Sequence, residues 1–130
     1  MIPKPKKKPK ASSLTRKLDA DVRKLVMERD QRCVLCGDTN NLEASHYIGR
    51  RNHGVRWDLR NVHTMCRSCH RDYHDNNPAY YRYLRRRYGD YIFEELYLQQ
   101  KAHIAKGGMT AAEKEELHKE LINVLEETTV

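Results

Sequence analysis

Four cysteines fall into two pairs, Cys33-Val-Leu-Cys36-Gly37 and Cys66-Arg-Ser-Cys69, with 29 residues between the pairs. A Cys-x-x-Cys turn aims two sulfurs at one ion, and two such knuckles complete a tetrahedral thiolate site for structural zinc. A thioredoxin-like redox pair is disfavoured, because no βαβ context surrounds either motif and the second pair would go unexplained. Histidines supply a second kind of chemistry. His46 is followed by Asn61 after fifteen positions, by His70 after nine more and by His74 after another four. His70 and His74 stand one helical turn apart, where two imidazoles either share a cation or simply face solvent. His63 either points into the same cleft as a second base or phosphate contact, or packs within a strand. His53 reads as a surface or DNA-contact residue.

Arginines surround these groups. Residues 38–89 carry ten basic side chains, every one of them Arg, against five acidic ones. The planar guanidinium fork matches phosphate geometry, so Arg50, Arg51, Arg56, Arg60, Arg67 and Arg71 are candidate phosphate contacts. Arg82, Arg85 and Arg86, interleaved with Tyr80, Tyr81 and Tyr83, are candidates for a second DNA surface, and tyrosine can stack on exposed bases.

The elements that must position these residues are short. Leu14, Leu18, Val22, Leu25 and Val26 recur at helical spacing from Ser13 to Asp30, giving an amphipathic helix that delivers the chain to Cys33. Leu42 to Ile48 and Trp57 to Val62 read as two strands around the Arg-rich loop. A helix is expected from Cys66 to about Asp75, halted at Asn76-Asn77-Pro78, followed by helices over 79–88 and 90–105. After Gly107-Gly108, Thr110 and Glu113 have the form of a capping box. The helix they open carries a narrow stripe of Leu117, Leu121, Val124 and Leu125, suited to packing on the domain or to pairing with a second copy.

Length and charge bound the whole. At 130 residues the chain is one domain with appendages, and it is polar, with 38% hydrophobic and 33% charged residues. Such chains often need a metal staple. The net charge of +7 is uneven, because residues 90–130 hold nine acidic and four basic groups. The basic remainder points to a nucleic-acid partner. Residues 1–12 read as a disordered basic arm, 13–106 as the zinc-stapled domain and 107–130 as the C-terminal helix. No secretory signal and no membrane-spanning run is evident, so an intracellular, cytoplasmic location without disulfides is expected.

Strand, Arg-rich loop, strand and helix carrying His46, Asn61, His70 and His74 resemble the HNH, or ββα-metal, nuclease motif, with the cysteine pairs bracketing it as in the zinc-stapled branch. The surrounding text narrows the likeness: Arg29-Asp30, Cys36-Gly37, Glu43-Ala44-Ser45-His46-Tyr47-Ile48, Arg56-Trp57-Asp58, Asn61-Val62-His63, and Tyr81-x-x-Leu84-x-x-x-Tyr88-Gly89. Over roughly residues 18–98 the chain resembles the phage lambda NinG (Rap) family of recombination endonucleases. The resemblance implies a small α+β fold with an HNH core flanked by helices. It implies His46 as general base, Asn61 as the residue that orients the strand and loop, and His70 and His74 as ligands of one divalent cation. The position before the base, usually Asp or His, is Ser45, a poor ligand. Glu43 is then a candidate assistant, and an imidazole-rich set favours Mn²⁺, Ni²⁺ or Zn²⁺ over Mg²⁺.

The reading that follows is a metal-dependent HNH endonuclease of a phage or prophage, working in a bacterial host cell on branched recombination intermediates such as Holliday junctions and D-loops. A homodimer through the C-terminal helix and contacts with recombination or single-strand-binding proteins fit that role. Alternatives are a nicking or packaging-associated HNH endonuclease on duplex DNA and, in another class, a non-catalytic zinc-ribbon DNA-binding protein.

Overall fold

A computed structural model of the chain describes residues 11–73 and 78–128. Residues 1–10 of the expected basic arm and His74 lie outside the described residues. Five helices and two strands run in the order α1 (Ala11–Asp30), β1 (Leu42–His46), β2 (Val62–Cys66), α2 (Arg67–Tyr73), α3 (Pro78–Tyr88), α4 (Ile92–Lys106) and α5 (Ala111–Thr128). The helical period of the first segment is realised, but α1 starts two residues before Ser13, which is therefore not its cap.

The strands pair antiparallel, with Leu42 opposite Cys66, Ser45 opposite His63 and His46 opposite Val62. This small sheet lies between two apolar clusters. On one side, Leu18, Val22, Leu25 and Val26 of α1 meet Trp57, Val62 and Leu121 of α5. On the other, Met65, Tyr80 and Leu84 of α3, and Ile92 and Leu96 of α4, pack with Val55 and the zinc-motif residues Cys33 and Cys66.

The second strand falls later than expected, at Val62–Cys66 instead of Trp57–Val62. All five of its residues are buried because helices cover both faces, so it lacks the alternation that marks a half-exposed strand. Trp57–Asn61 is turn: Asp58 accepts the Arg60 N–H at 2.9 Å, and the Asp58 carbonyl accepts the Asn61 N–H at 2.9 Å. β1 ends at His46 rather than Ile48, the chain being turned away there by Asn61.

The capping box at α5 forms as expected, with Glu113 N–H donating to Thr110 Oγ1 at 3.1 Å and Thr110 N–H to Glu113 Oε1 at 3.3 Å. The helix folds back on α1: Leu121 is buried, Leu117 and Leu125 pack beside it, and Val124 stays exposed. His118 pairs with Asp21, and Lys114 Nζ donates to Thr15 Oγ1 at 3.3 Å. Most of the stripe that could have served a dimer is thus covered within one chain. Among the described residues no helix is long and apolar enough to cross a membrane.

Candidate active site and zinc centre

The two knuckles meet. The four sulfurs of Cys33, Cys36, Cys66 and Cys69 lie within 4.8 Å of one another, and Cys36 and Cys66 Sγ are 3.6 Å apart. Tetrahedral Zn–S bonds of about 2.3 Å require sulfurs about 3.8 Å apart, so the donor set fits zinc. The first knuckle closes with the Gly37 N–H donating to the Cys33 carbonyl at 2.9 Å, and Gly37 takes φ +82°, a conformation natural to glycine. Burial resists ionisation of Cys33, but backbone N–H groups of Cys66, Cys36 and Leu35 aimed at its sulfur prevail and bring its pKa down to about 7. The cluster joins the end of α1 to the β2–α2 junction.

On the α1 side of the sheet a cleft of about 590 Å³ opens, lined by Asp19, Ala20 and Arg23 of α1, Glu43, Ala44 and His46 of β1, Gly49 and Arg50 of the loop, and His70 of α2. His46 is half-buried, and its Nε2 lies 2.8 Å from the Arg56 carbonyl. A carbonyl only accepts, so Nε2 carries the hydrogen and Nδ1 keeps its lone pair. Burial holds the His46 pKa below the usual imidazole value, with the Arg50 and Arg56 charges acting the same way. The ring is neutral at neutral pH and oriented, which is what a general base requires.

Asn61 is fully buried and holds the loop that holds His46. Its Oδ1 accepts the Ile48 N–H at 2.8 Å, while Nδ2 donates to the Ile48 and Val55 carbonyls at 3.0 Å each. One amide thereby pins both ends of the loop. Arg56 is fixed from the other side by Asp19, whose carboxylate accepts from Arg56 Nη2 at 2.6 Å, Arg50 Nη2 at 2.8 Å and Trp57 Nε1 at 2.9 Å. Burial alone would raise the Asp19 pKa, yet these donors and the two guanidinium charges bring it below the usual range.

His70 enters the cleft with Nδ1 2.7 Å from Glu43 Oε2, so Nδ1–H donates to the carboxylate. That contact, then Arg67, holds the Glu43 pKa down. A carboxylate behind an imidazole orients it, so Glu43 fixes the His70 ring in the cleft.

Other sequence candidates go elsewhere. Ser45 is fully buried away from the cleft, on the strand face opposite His46, and its hydroxyl finds no hydrogen-bond partner among the described residues. His63 is equally buried and lies outside the cleft: Tyr88 O–H donates to Nε2 at 2.8 Å, and Nδ1–H donates to Tyr80 Oη at 3.0 Å. Tyr80 O–H in turn donates to the Ser45 carbonyl at 3.1 Å. Burial, reinforced by the Arg29 charge, lowers the His63 pKa to about 3, so it is a neutral packing residue. His53 lies edge-on to Trp57 with ring centroids 5.4 Å apart.

The arginines divide into two groups. Arg56 belongs to Asp19, and Arg60 binds Asp58 at 3.0 Å and Glu95 at 2.9 Å, so both brace the fold. Arg50, which lines the cleft, and Arg67, which pairs with the lining residue Glu43, also touch carboxylates but keep 61% and 72% of their side chains exposed, and Arg51 and Arg71 are exposed. Arg82, Arg85 and Arg86 line a shallow basic depression with Asp90. Sequence reading missed Asp19 and Arg23, because their periodicity on α1 looks like an ordinary solvated helix face.

Fold and site define a small α+β protein with a two-stranded sheet and a four-cysteine cluster that could hold zinc, beside a cleft lined by two histidines, two arginines and two carboxylates. The family model described as bacteriophage lambda NinG protein matches residues 4–126. The chain therefore belongs to that family, which is associated with phage recombination. No curated protein and no solved structure matches it.

Proposed function

We propose that the chain is a metal-dependent HNH endonuclease that hydrolyses DNA phosphodiesters, acting by preference on branched recombination intermediates such as Holliday junctions. The observation that carries this reading is His46. Its Nε2–H is tied to a loop carbonyl that Asn61 and Asp19 both immobilise, so Nδ1 is held as a proton acceptor in a cleft shared with His70, Arg23 and Arg50.

In this reading His46 Nδ1 takes the proton of the attacking water. Asn61 keeps the ring on line, and Arg23 and Arg50 hold the phosphate. A divalent cation at His70, with His74 as second ligand and Glu43 behind His70, would neutralise charge on the phosphate and the leaving 3′-oxygen. The products would be a 5′-phosphate and a 3′-hydroxyl. Arg51, Arg67 and Arg71 extend the cleft rim as sequence-independent backbone contacts. The preference for branched DNA draws on the family's link to recombination. The cytoplasm of the host cell, and partner proteins of the recombination apparatus, belong to the same proposal.

Ser45 favours a second reading. Where an HNH site usually has another ligand this chain buries a serine away from the cleft, as a zinc-stapled DNA-binding protein without catalysis would. Labelled duplex, single strand, fork, D-loop and four-way junction, each offered with Mg²⁺, Mn²⁺, Ni²⁺ or Zn²⁺, separate the readings. Divalent-dependent cleavage that His46→Ala reduces by about 10²-fold or more, with binding kept, is the expected outcome. Binding without cleavage under every one of these cations refutes the enzyme. Equal cleavage of every form refutes the preference for branches.

A further inference from the structure

On the face of the molecule carrying α3 and α4, an open apolar trough of about 500 Å³ is lined by Tyr47, Ile48, Tyr81, Phe93, Glu94 and Tyr97. Its floor is built. Tyr81 and Phe93 lie parallel, with centroids 4.4 Å apart and planes 4° from coincidence, and Tyr47 leans on Phe93 at 4.9 Å. Tyr97 stands at the rim with 58% of its surface exposed, and Tyr81 keeps 41%. Phe93 covers one face of Tyr81 and the Arg85 guanidinium lies over the other, so the ring that the trough offers a ligand is that of Tyr97; exposed apolar area of this kind marks a contact surface.

Charge around the trough selects the occupant. The Arg85 guanidinium lies 5.6 Å from the Tyr81 ring centroid, and Lys101 Nζ lies 5.3 Å from that of Tyr97. Arg85 also belongs with Arg82 and Arg86 to the neighbouring basic depression. Flat apolar faces flanked by cations suit a chain of flat rings joined by phosphates. Glu94 is a poor neighbour for a phosphate, but it can accept from the amino group of a base.

We propose that this trough is a stacking site for unpaired nucleobases of single-stranded DNA, with Tyr97 as the stacking face and Arg82, Arg85 and Lys101 as phosphate contacts. Paired bases inside a duplex cannot reach such a shelf, so the site selects DNA that is open at a branch, gap or end. The proposal deepens the branched-substrate reading and rests on it for its biological purpose, but stacking requires no cleavage.

The test is fluorescence anisotropy with the zinc-loaded full chain and a labelled single strand, compared with the same strand in a blunt duplex. Tyr97→Ala removes an exposed ring and should leave folding intact. It should weaken single-strand binding roughly ten-fold, the effect of losing one stacked base, and leave duplex binding within about two-fold. The salt dependence of single-strand binding should stay unchanged in Tyr97→Ala and become shallower in Arg85→Ala, which loses a phosphate contact. Equal losses on both DNA forms, or none on either, would overturn the proposal. So would light scattering that shows a wild-type dimer dissociated by Tyr97→Ala with single-strand affinity intact, because the trough would then be a protein interface. Failure of the nuclease reading shows separately, as normal stacking-dependent binding in a protein that cuts nothing.

Discussion

Asn61 makes three hydrogen bonds from full burial, and Asn61→Ala removes all of them while leaving the Ile48 N–H and two carbonyls without their partner. At a net value of about 1 kcal/mol each, the expected destabilisation is about 3 kcal/mol. For a chain of this size that lowers the unfolding midpoint by roughly 10 °C, measurable by thermal denaturation with zinc present. Cleavage should fall further than stability explains, because a loop carbonyl that drifts by an ångström misdirects His46 and can cost about 10²-fold. Asn61→Asp sharpens the test. Its carboxyl would face the Ile48 and Val55 carbonyls from a buried position, so its pKa in the folded state must rise above the ordinary carboxylate range. Above that range the folded protein holds a proton that the unfolded chain has released. Stability relative to wild type is then greatest at acid pH and falls as pH rises through the raised pKa. Urea unfolding of wild type and both variants from about pH 5 to about pH 8 should show a deficit that grows for Asn61→Asp and stays level for Asn61→Ala. Level deficits in both, or wild-type stability and cleavage in Asn61→Ala, would refute the assignment of Asn61 as the loop's anchor.

Cys66→Ser should abolish stoichiometric zinc in metal analysis and leave the chain unfolded by circular dichroism, since structural zinc contributes on the order of 10 kcal/mol to small domains. A folded, zinc-free variant would contradict the staple. His63, with its pKa lowered to about 3 from an ordinary 6.5, is neutral in the folded state but protonated in the unfolded chain between those values. Its contribution to stability is therefore present above pH 6.5 and lost as pH falls toward 3, and His63→Phe should flatten that slope in urea unfolding. Asp19→Ala releases Arg50 and Arg56 while loosening the carbonyl that holds His46. DNA binding should become tighter and more salt-dependent while cleavage falls, and a parallel loss of both would rule out that division of roles.

The four-cysteine cluster that could hold zinc was legible because four thiols at Cys-x-x-Cys spacing have few other uses in a polar chain, and the cluster needs only that the two turns meet. Helices were legible where an apolar stripe faced one partner, as in α1 and α5. Helix boundaries moved by a residue or two, and β2 was misplaced by several, because a strand covered on both faces carries no period of two. The histidines required more than spacing. His46 and His63 stand on the paired ends of the hairpin and share a residue type, yet one lines a cleft and the other sits between two tyrosines. Strand alternation and the packing of α3 made that difference.

Arg56 and Arg60 differ from Arg50 and Arg67 in nothing that the sequence can express. Asp19 of α1 holds both Arg56 and Arg50, yet packing leaves 14% of the first side chain exposed and 61% of the second, while Glu95 of α4 joins Asp58 in holding Arg60. The sequence by itself determined the four cysteines that could hold zinc, the basic character of the middle of the chain and the set of candidate histidines, because these follow from side-chain type and local spacing. The tertiary structure decided which imidazole is a neutral, oriented acceptor and which arginines remain open to phosphate, because burial and the partner across a fold are set by elements distant in the chain.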